Sequence, residues 1–410
     1  MKKKILFTLF ILILYEAGSM ITLPGINTAI VEAQMQTSTF LQLANLVGGG
    51  SIDKMSLFAL GVSPFITASI IVQMLSSDVI PYLSRLRDQG IKGHNKLDRI
   101  TRIAALFVAA FQGYGVIMTL SKGELPILAD SSWQSISFIL LLMVTGTMIT
   151  LWFGDLLTIY GLGNGASMII AAGILMRIPG QISQAYSILT AKGDMTLFGL
   201  YMLFLVITIM AVVVLQKSEL HIPIWDPSSR IKAVNDKDTN FLPLKINTPG
   251  VIPVIFASAF MTAPLQLTQI VNNTSLYDTL MPYLGLNSWV SIGIYALLIV
   301  LFSFFYAKIQ VDPKKVAESL RKRNNFIPNI QPGDETEKYI SKSLFHVMIY
   351  GAAGLTIIAI APYILSLISE LPAGIALGGT GLIIIVGVFL EIGVQMKGLN
   401  NKERYLKFRM

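Results

Sequence analysis

Ten mainly apolar stretches, each close to the length a helix needs to cross a lipid bilayer, recur along this chain and leave few residues for anything else. They fall at roughly residues 5 to 23, 57 to 76, 101 to 120, 134 to 153, 162 to 180, 196 to 216, 249 to 270, 288 to 307, 343 to 365 and 375 to 396. Backbone polar groups in hydrocarbon must be satisfied within the segment, so such runs are expected to be spanning helices. Of the 410 residues, 53% are hydrophobic and 13% charged, and mean hydropathy is +0.66, more apolar surface than a water-soluble core of this length hides. The first run follows Lys2, Lys3 and Lys4 as a secretory signal would, but no small-residue cleavage site follows Leu23, and the run is expected to be retained.

Orientation follows from the basic residues. With the N terminus inside, cytoplasmic segments hold 27 Lys and Arg and outer segments hold 4, namely Lys54, Lys122, Arg177 and Lys192. The positive-inside rule therefore places both termini in the cytoplasm. The net charge of +8 is explained by these loops and calls for no nucleic acid; anionic lipid or an acidic cytosolic protein are the natural partners. Two inside loops are long, at 217–248 and 308–342, and a long basic loop serves either as a topology signal or as a docking surface.

Chemistry is mostly excluded. The chain has no cysteine, hence no disulfide, thiolate metal site or cysteine nucleophile. No Walker loop, HExxH or GxSxG is present, and His94, His221 and His346 are scattered. No metal or cofactor is expected, and an intramembrane enzyme finds no catalytic set. Only Glu16 lies well inside a span, whereas Asp155 and Glu391 sit at or near cytoplasmic ends. A secondary transporter using Glu16 as its coupling acid remains the alternative from another class.

Four motifs spread through the chain carry a resemblance: LFALGVSPFITASIIVQ at 57–73, YGLGNGAS at 160–167, LPLKINTPGVIPVIFAS at 242–258 and GGTGLII at 378–384. Together they resemble the SecY family of protein-conducting channels, in the family's order and on its helices two, five, seven and ten. FIPNIQPG at 326–333 is similar to the family's last long inside loop. The resemblance implies an all-α, polytopic membrane protein with ten transmembrane helices in two inverted five-helix halves, 1–195 and 196–410. No repeat is visible at the residue level.

It also implies an hourglass pore closed by an aliphatic ring, here Val62, Ile66, Ala166, Ile170, Ile255 and Ile384. Residues four apart on a helix share a face, so two helices can each present a pair, although the same aliphatics would serve helix packing. Residues 43–54, including Leu43, Leu46, Val47, Gly48, Gly49 and Ile52, match the plug. Spans two and seven match the lateral gate, with Gln73, Gln112 and Asn247 as its polar residues. The implied partners are a SecA-type ATPase motor, SecE-like and SecG-like small subunits, a secretory polypeptide and lipid. Arg230, Lys232, Arg321, Lys322 and Arg323 are the charge candidates for motor docking.

Some positions depart from the usual pattern. Glu16, Gln331 and the IWDP at 224–227 stand where ordinary bacterial members carry arginine, which puts a standard SecA contact in doubt. VTGTM at 144–148 and HIPIWD at 221–226 resemble the accessory SecY branch of Gram-positive bacteria, which exports serine-rich glycosylated adhesins with its own SecA paralogue. An ordinary housekeeping SecY is the alternative within the family.

Overall fold

A computed structural model describes residues 2–28, 30, 31, 33, 41, 52–77, 80–121, 132–191, 195–225, 241–271, 274–286, 288–369 and 379–407. In chain order the elements are α1 (Lys2–Ser19), α2 (Ser63–Ser76), α3 (Pro81–Asp88), α4 (Ile91–Ser121), α5 (Trp133–Tyr160), α6 (Gly165–Ala191), α7 (Met195–Lys217), β1 (Glu219–Pro223), β2 (Phe241–Lys245), α8 (Ile252–Ile270), α9 (Thr274–Leu284), α10 (Trp289–Gln310), α11 (Pro313–Lys322), α12 (Asp334–Ser369) and α13 (Gly379–Lys407).

Helices lie at all ten expected positions: α1, α2, α4, α5, α6, α7, α8, α10, α12 and α13. Seven are individually long and apolar enough to cross a membrane, α2 with α3 makes up to eight, and α8 belongs to the shorter apolar class. In the most apolar window of α7 only 22% is buried within the protein. Leu203, Ile207, Met210 and Val214 face outward there, an arrangement that water would oppose and lipid accepts.

Two boundaries differ from the sequence expectation. The second span is helical only from Ser63, because residues 57–62 form tight turns in which Gly61 takes a φ of 52° and Pro64 opens the helix. α12 begins at Asp334 rather than near 343, since its acidic first turn favours helix beyond the apolar run. The two long loops also carry structure. Residues 217–248 contain the antiparallel β1–β2 hairpin, with Glu219 opposite Lys245 and Pro223 opposite Phe241, an exception to the all-helical fold. Residues 308–342 contain α11.

Close helix approach depends on small residues. A Cβ at Gly165 would stand 1.8 Å from the Gly154 carbonyl oxygen, and one at Gly146 would stand 1.8 Å from that of Leu57. Without a hydrophobic drive between helices in lipid, contact of this kind supplies the dispersion energy that holds a bundle together. The C-terminal core joins Val212, Phe256, Met261, Tyr295, Ile299, Leu355 and Ile383. A second core joins Leu23, Ile52, Met55, Leu60, Ala109 and Met143. α13 touches both α6 and α7.

Candidate pore, gate and cytoplasmic face

Six aliphatic positions from four parts of the chain meet in one cluster. Val62, Ile170 and Ile384 are buried in it, and Ile66, Ala166 and Ile255 pack against it partly exposed. Each is set locally. Val62 caps α2, and its carbonyl accepts the Ile66 N–H at 3.1 Å, so the two lie one turn apart. Asn164 Oδ1 accepts the N–H groups of Ala166 at 3.1 Å and Ser167 at 3.4 Å, starting α6 and placing Ile170 a turn beyond Ala166. Ile255 lies in the first turn of α8 and Ile384 near the start of α13.

None of these side chains has a polar atom. A narrow aliphatic collar repels ions by shedding water, and its contacts part without stranding a hydrogen-bonding group.

The three polar gate candidates are not joined to one another by any hydrogen bond among the described residues. Gln73 Nε2 donates to Ser69 Oγ of its own helix at 3.1 Å. Gln112 Nε2 reaches from α4 to Thr67 Oγ1 of α2 at 3.3 Å. Asn247, just before α8, is buried with both amide atoms unpartnered among the described residues. A cavity of about 180 Å³ opens between α2, α4 and α8, lined by Thr67, Ile71, Phe111, Gln112, Thr262 and Gln266 among others.

Of the plug positions, Leu43, Leu46, Val47, Gly48 and Gly49 lie outside the described residues, and Ile52 is buried in the second core. The chain after it is anchored: Leu23 N–H donates to the Met55 carbonyl and Leu57 N–H to that of Ile21, both at 2.9 Å. Beside this anchor, Asp53 pairs with Arg177 at 2.8 Å, both side chains about a quarter exposed. Arg177, expected on the outer side, lies on α6, seven residues beyond Ile170. Glu16 is half-buried on α1 and makes no ion pair among the described residues. No cluster able to hold a metal ion occurs among them.

The two long loops, 217–248 and 308–342, meet. Trp225 and Phe326 exchange backbone hydrogen bonds of 2.9 and 3.1 Å, with ring centroids 6.2 Å apart. Ile222, Leu244, Leu320, Ile327 and Leu344 form a separate core beneath them. Asp312 caps α11 by accepting from Lys314 and Lys315 N–H, with Pro313 at its first position. At the other end Asn324 takes a φ of 55° and Asn325 N–H closes onto Leu320. Arg321, Lys322 and Arg323 are exposed there, where the helix dipole favours cations. Arg230 and Lys232 lie outside the described residues.

Sequence reasoning missed Thr67, the Asp53–Arg177 pair and the Trp225–Phe326 bridge. Their partners are distant in sequence, 101 residues in the last case, and no local periodicity signals them.

The architecture is that of a protein-conducting membrane channel. It superimposes on a solved protein-conducting channel with a TM-score of 0.67 at 18% identity, covering 96% of this chain and 91% of that one. Sec61 from a canine ribosome–channel complex of the endoplasmic reticulum matches with a TM-score of 0.66 over the same shares. The chain belongs to the SecY family, whose model matches residues 56–393. The translocase subunit SecY of Mycoplasma capricolum is 37% identical over 98% of this chain and 88% of its own length. SecY of Staphylococcus carnosus is 36% identical over 99% of this chain and 96% of its own. The protein is thus a multi-pass channel subunit of a bacterial protein translocase.

Proposed function

We propose that this chain conducts unfolded secretory polypeptide across the cytoplasmic membrane, both termini inside, through a waist formed by Val62, Ile66, Ala166, Ile170, Ile255 and Ile384. The observation that carries this is the meeting of those six aliphatics, from separate helices, in one cluster. The halves divide near 195, the plug occupies about 43–54, and α2 and α8 part as the lateral gate beside the cavity they share with α4. Glu16 has no coupling role in this reading, and the channel catalyses no bond chemistry.

A SecA-type motor docks on the surface made by the joined cytoplasmic loops, with Arg321, Lys322 and Arg323 as exposed contacts and Arg230 and Lys232 as further charge candidates from the sequence of the first loop. SecE-like and SecG-like subunits complete the assembly. Capture of a stalled secretory chain by crosslinkers at Ile66 or Ile255 is the expected result in membranes. A Glu16-dependent solute flux with no such capture would favour a transporter instead.

Two branches are open for cargo. VTGTM at 144–148 and HIPIWD at 221–226 favour the accessory pathway with its adhesin cargo, and Glu16, Gln331 and the IWDP at 224–227 speak against a standard SecA contact. Identity of 36–37% to ordinary SecY subunits along nearly the whole chain favours a housekeeping role. Co-purification of the bound motor and cargo decides between them: an accessory SecA paralogue with a serine-rich glycoprotein for the first, a general SecA with varied secretory proteins for the second.

A further inference from the structure

We propose that Gln216, in the last turn of α7, is a positioning residue for the waist, a role that rests on reading the aliphatic cluster as the pore. Its Nε2 donates to the backbone carbonyl of Ile383 on α13 at 3.2 Å, between residues 167 apart in sequence. Ile383 is fully buried and directly precedes Ile384. A carbonyl has two lone pairs, so this oxygen accepts the amide alongside its own helical N–H.

One turn further, Gly387 opens the space in which the amide lies. A Cβ there would stand 3.1 Å from Gln216 Nε2 and 3.2 Å from Oε1, tighter than ordinary contact. The small residue and the polar side chain are thus fitted to each other.

Why α13 needs such a bond follows from its two apolar faces. Ile383 and Val386 belong to the C-terminal core with Val212 and Ala359, while Ile384, Ile385 and Val388 belong to the waist cluster. Aliphatic contact is non-directional, and a helix turned by about 100° exchanges each residue's direction for its neighbour's. A hydrogen bond to one particular carbonyl distinguishes those rotations. Gly163 N–H, donating to Gln395 Oε1 at 2.5 Å, is a second polar tie on α13, twelve residues beyond Ile383. Gln216 is the one beside Ile384.

The absence of cysteine makes the test direct. The full chain carrying Ile170→Cys and Ile384→Cys is treated in membranes with a short bifunctional thiol reagent, alone and with Gln216→Leu or Gln216→Glu added. The Leu change removes the donor outright, and the Glu change removes it when the carboxyl is ionised. The yield of crosslinked product should fall about fivefold and the resting leak of small ions should rise about fivefold, the equilibrium shift expected for losing one interhelical hydrogen bond. Thermal unfolding in detergent should move little.

Unchanged crosslinking and leak in both variants would overturn the proposal, as would losses matched by a general loss of folded protein. A stalled secretory chain offered to Ile384→Cys separates the two ideas. Capture with Gln216-insensitive coupling sinks the positioning role and leaves the pore. Gln216-dependent coupling without capture sinks the pore and, with it, the functional meaning of the bond.

Discussion

The aliphatic cluster proposed as the waist and the joined loops 217–248 and 308–342 are built on opposite principles. At the waist, the six aliphatic side chains make no hydrogen bond of their own, and their positions come from backbone placement in neighbouring turns. In the joined loops, directional bonds dominate: a hairpin ladder, the paired Trp225 and Phe326 backbones, and an α11 capped at both ends. The first arrangement can separate and reclose with little polar cost. The second resists deformation and holds the exposed Arg321, Lys322 and Arg323 at one helix end. One chain thus keeps a compliant region and a stiff one within reach of each other.

The sharpest way to break the comparison is to put charge in the compliant part. Ile384→Asp should cost about 3 kcal/mol if the carboxylate stays dry, and if it draws water it should open the resting channel to ions. Conductance in planar bilayers reads this directly; an unchanged resting seal would mean that Ile384 does not help close the channel. Next comes overpacking beside the waist. Gly146→Ala would drive a methyl into the Leu57 carbonyl, and a loss of about 2 kcal/mol in detergent unfolding is expected as α5 and the turn before Val62 separate.

On the stiff side the effects should be smaller and local. Asp312→Ala removes the cap of α11 and should cost about 1 kcal/mol. Hydrogen exchange should quicken across 313–322 while ion leak stays at its original level; a rise in leak would show that the two regions are coupled. The smallest effect is expected for Arg102→Ala. Its fork onto Asp155, at 2.8 and 3.1 Å, joins α4 to α5 with both side chains about half exposed, so solvent screening limits the loss to about 0.5 kcal/mol. A thermal shift beyond the error of wild type would indicate a drier pair than its exposure suggests.

The spans were legible because lipid imposes a length and a composition on any segment that crosses it, and all ten helices lie where hydropathy puts them. Turn chemistry near Gly61 and Pro64 was also in the letters, yet hydropathy ran past it and extended the second span back to 57. The hairpin was hidden because Pro223 and Pro243 speak against strands in a local reading, and only their pairing across 217–248 satisfies the backbone. The ring positions came from matching motifs. Their six side chains look no different from other aliphatics in their helices.

Membrane residence and the order of the ten apolar helices were therefore determined by the sequence alone, since burial in lipid acts on each segment separately. Which aliphatic faces which was decided by the tertiary structure. Val62, Ile170 and Ile384 meet because Gly146 and Gly165 let helices approach and Gln216 grips α13 at one carbonyl, contacts that exist only once distant parts of the chain are side by side.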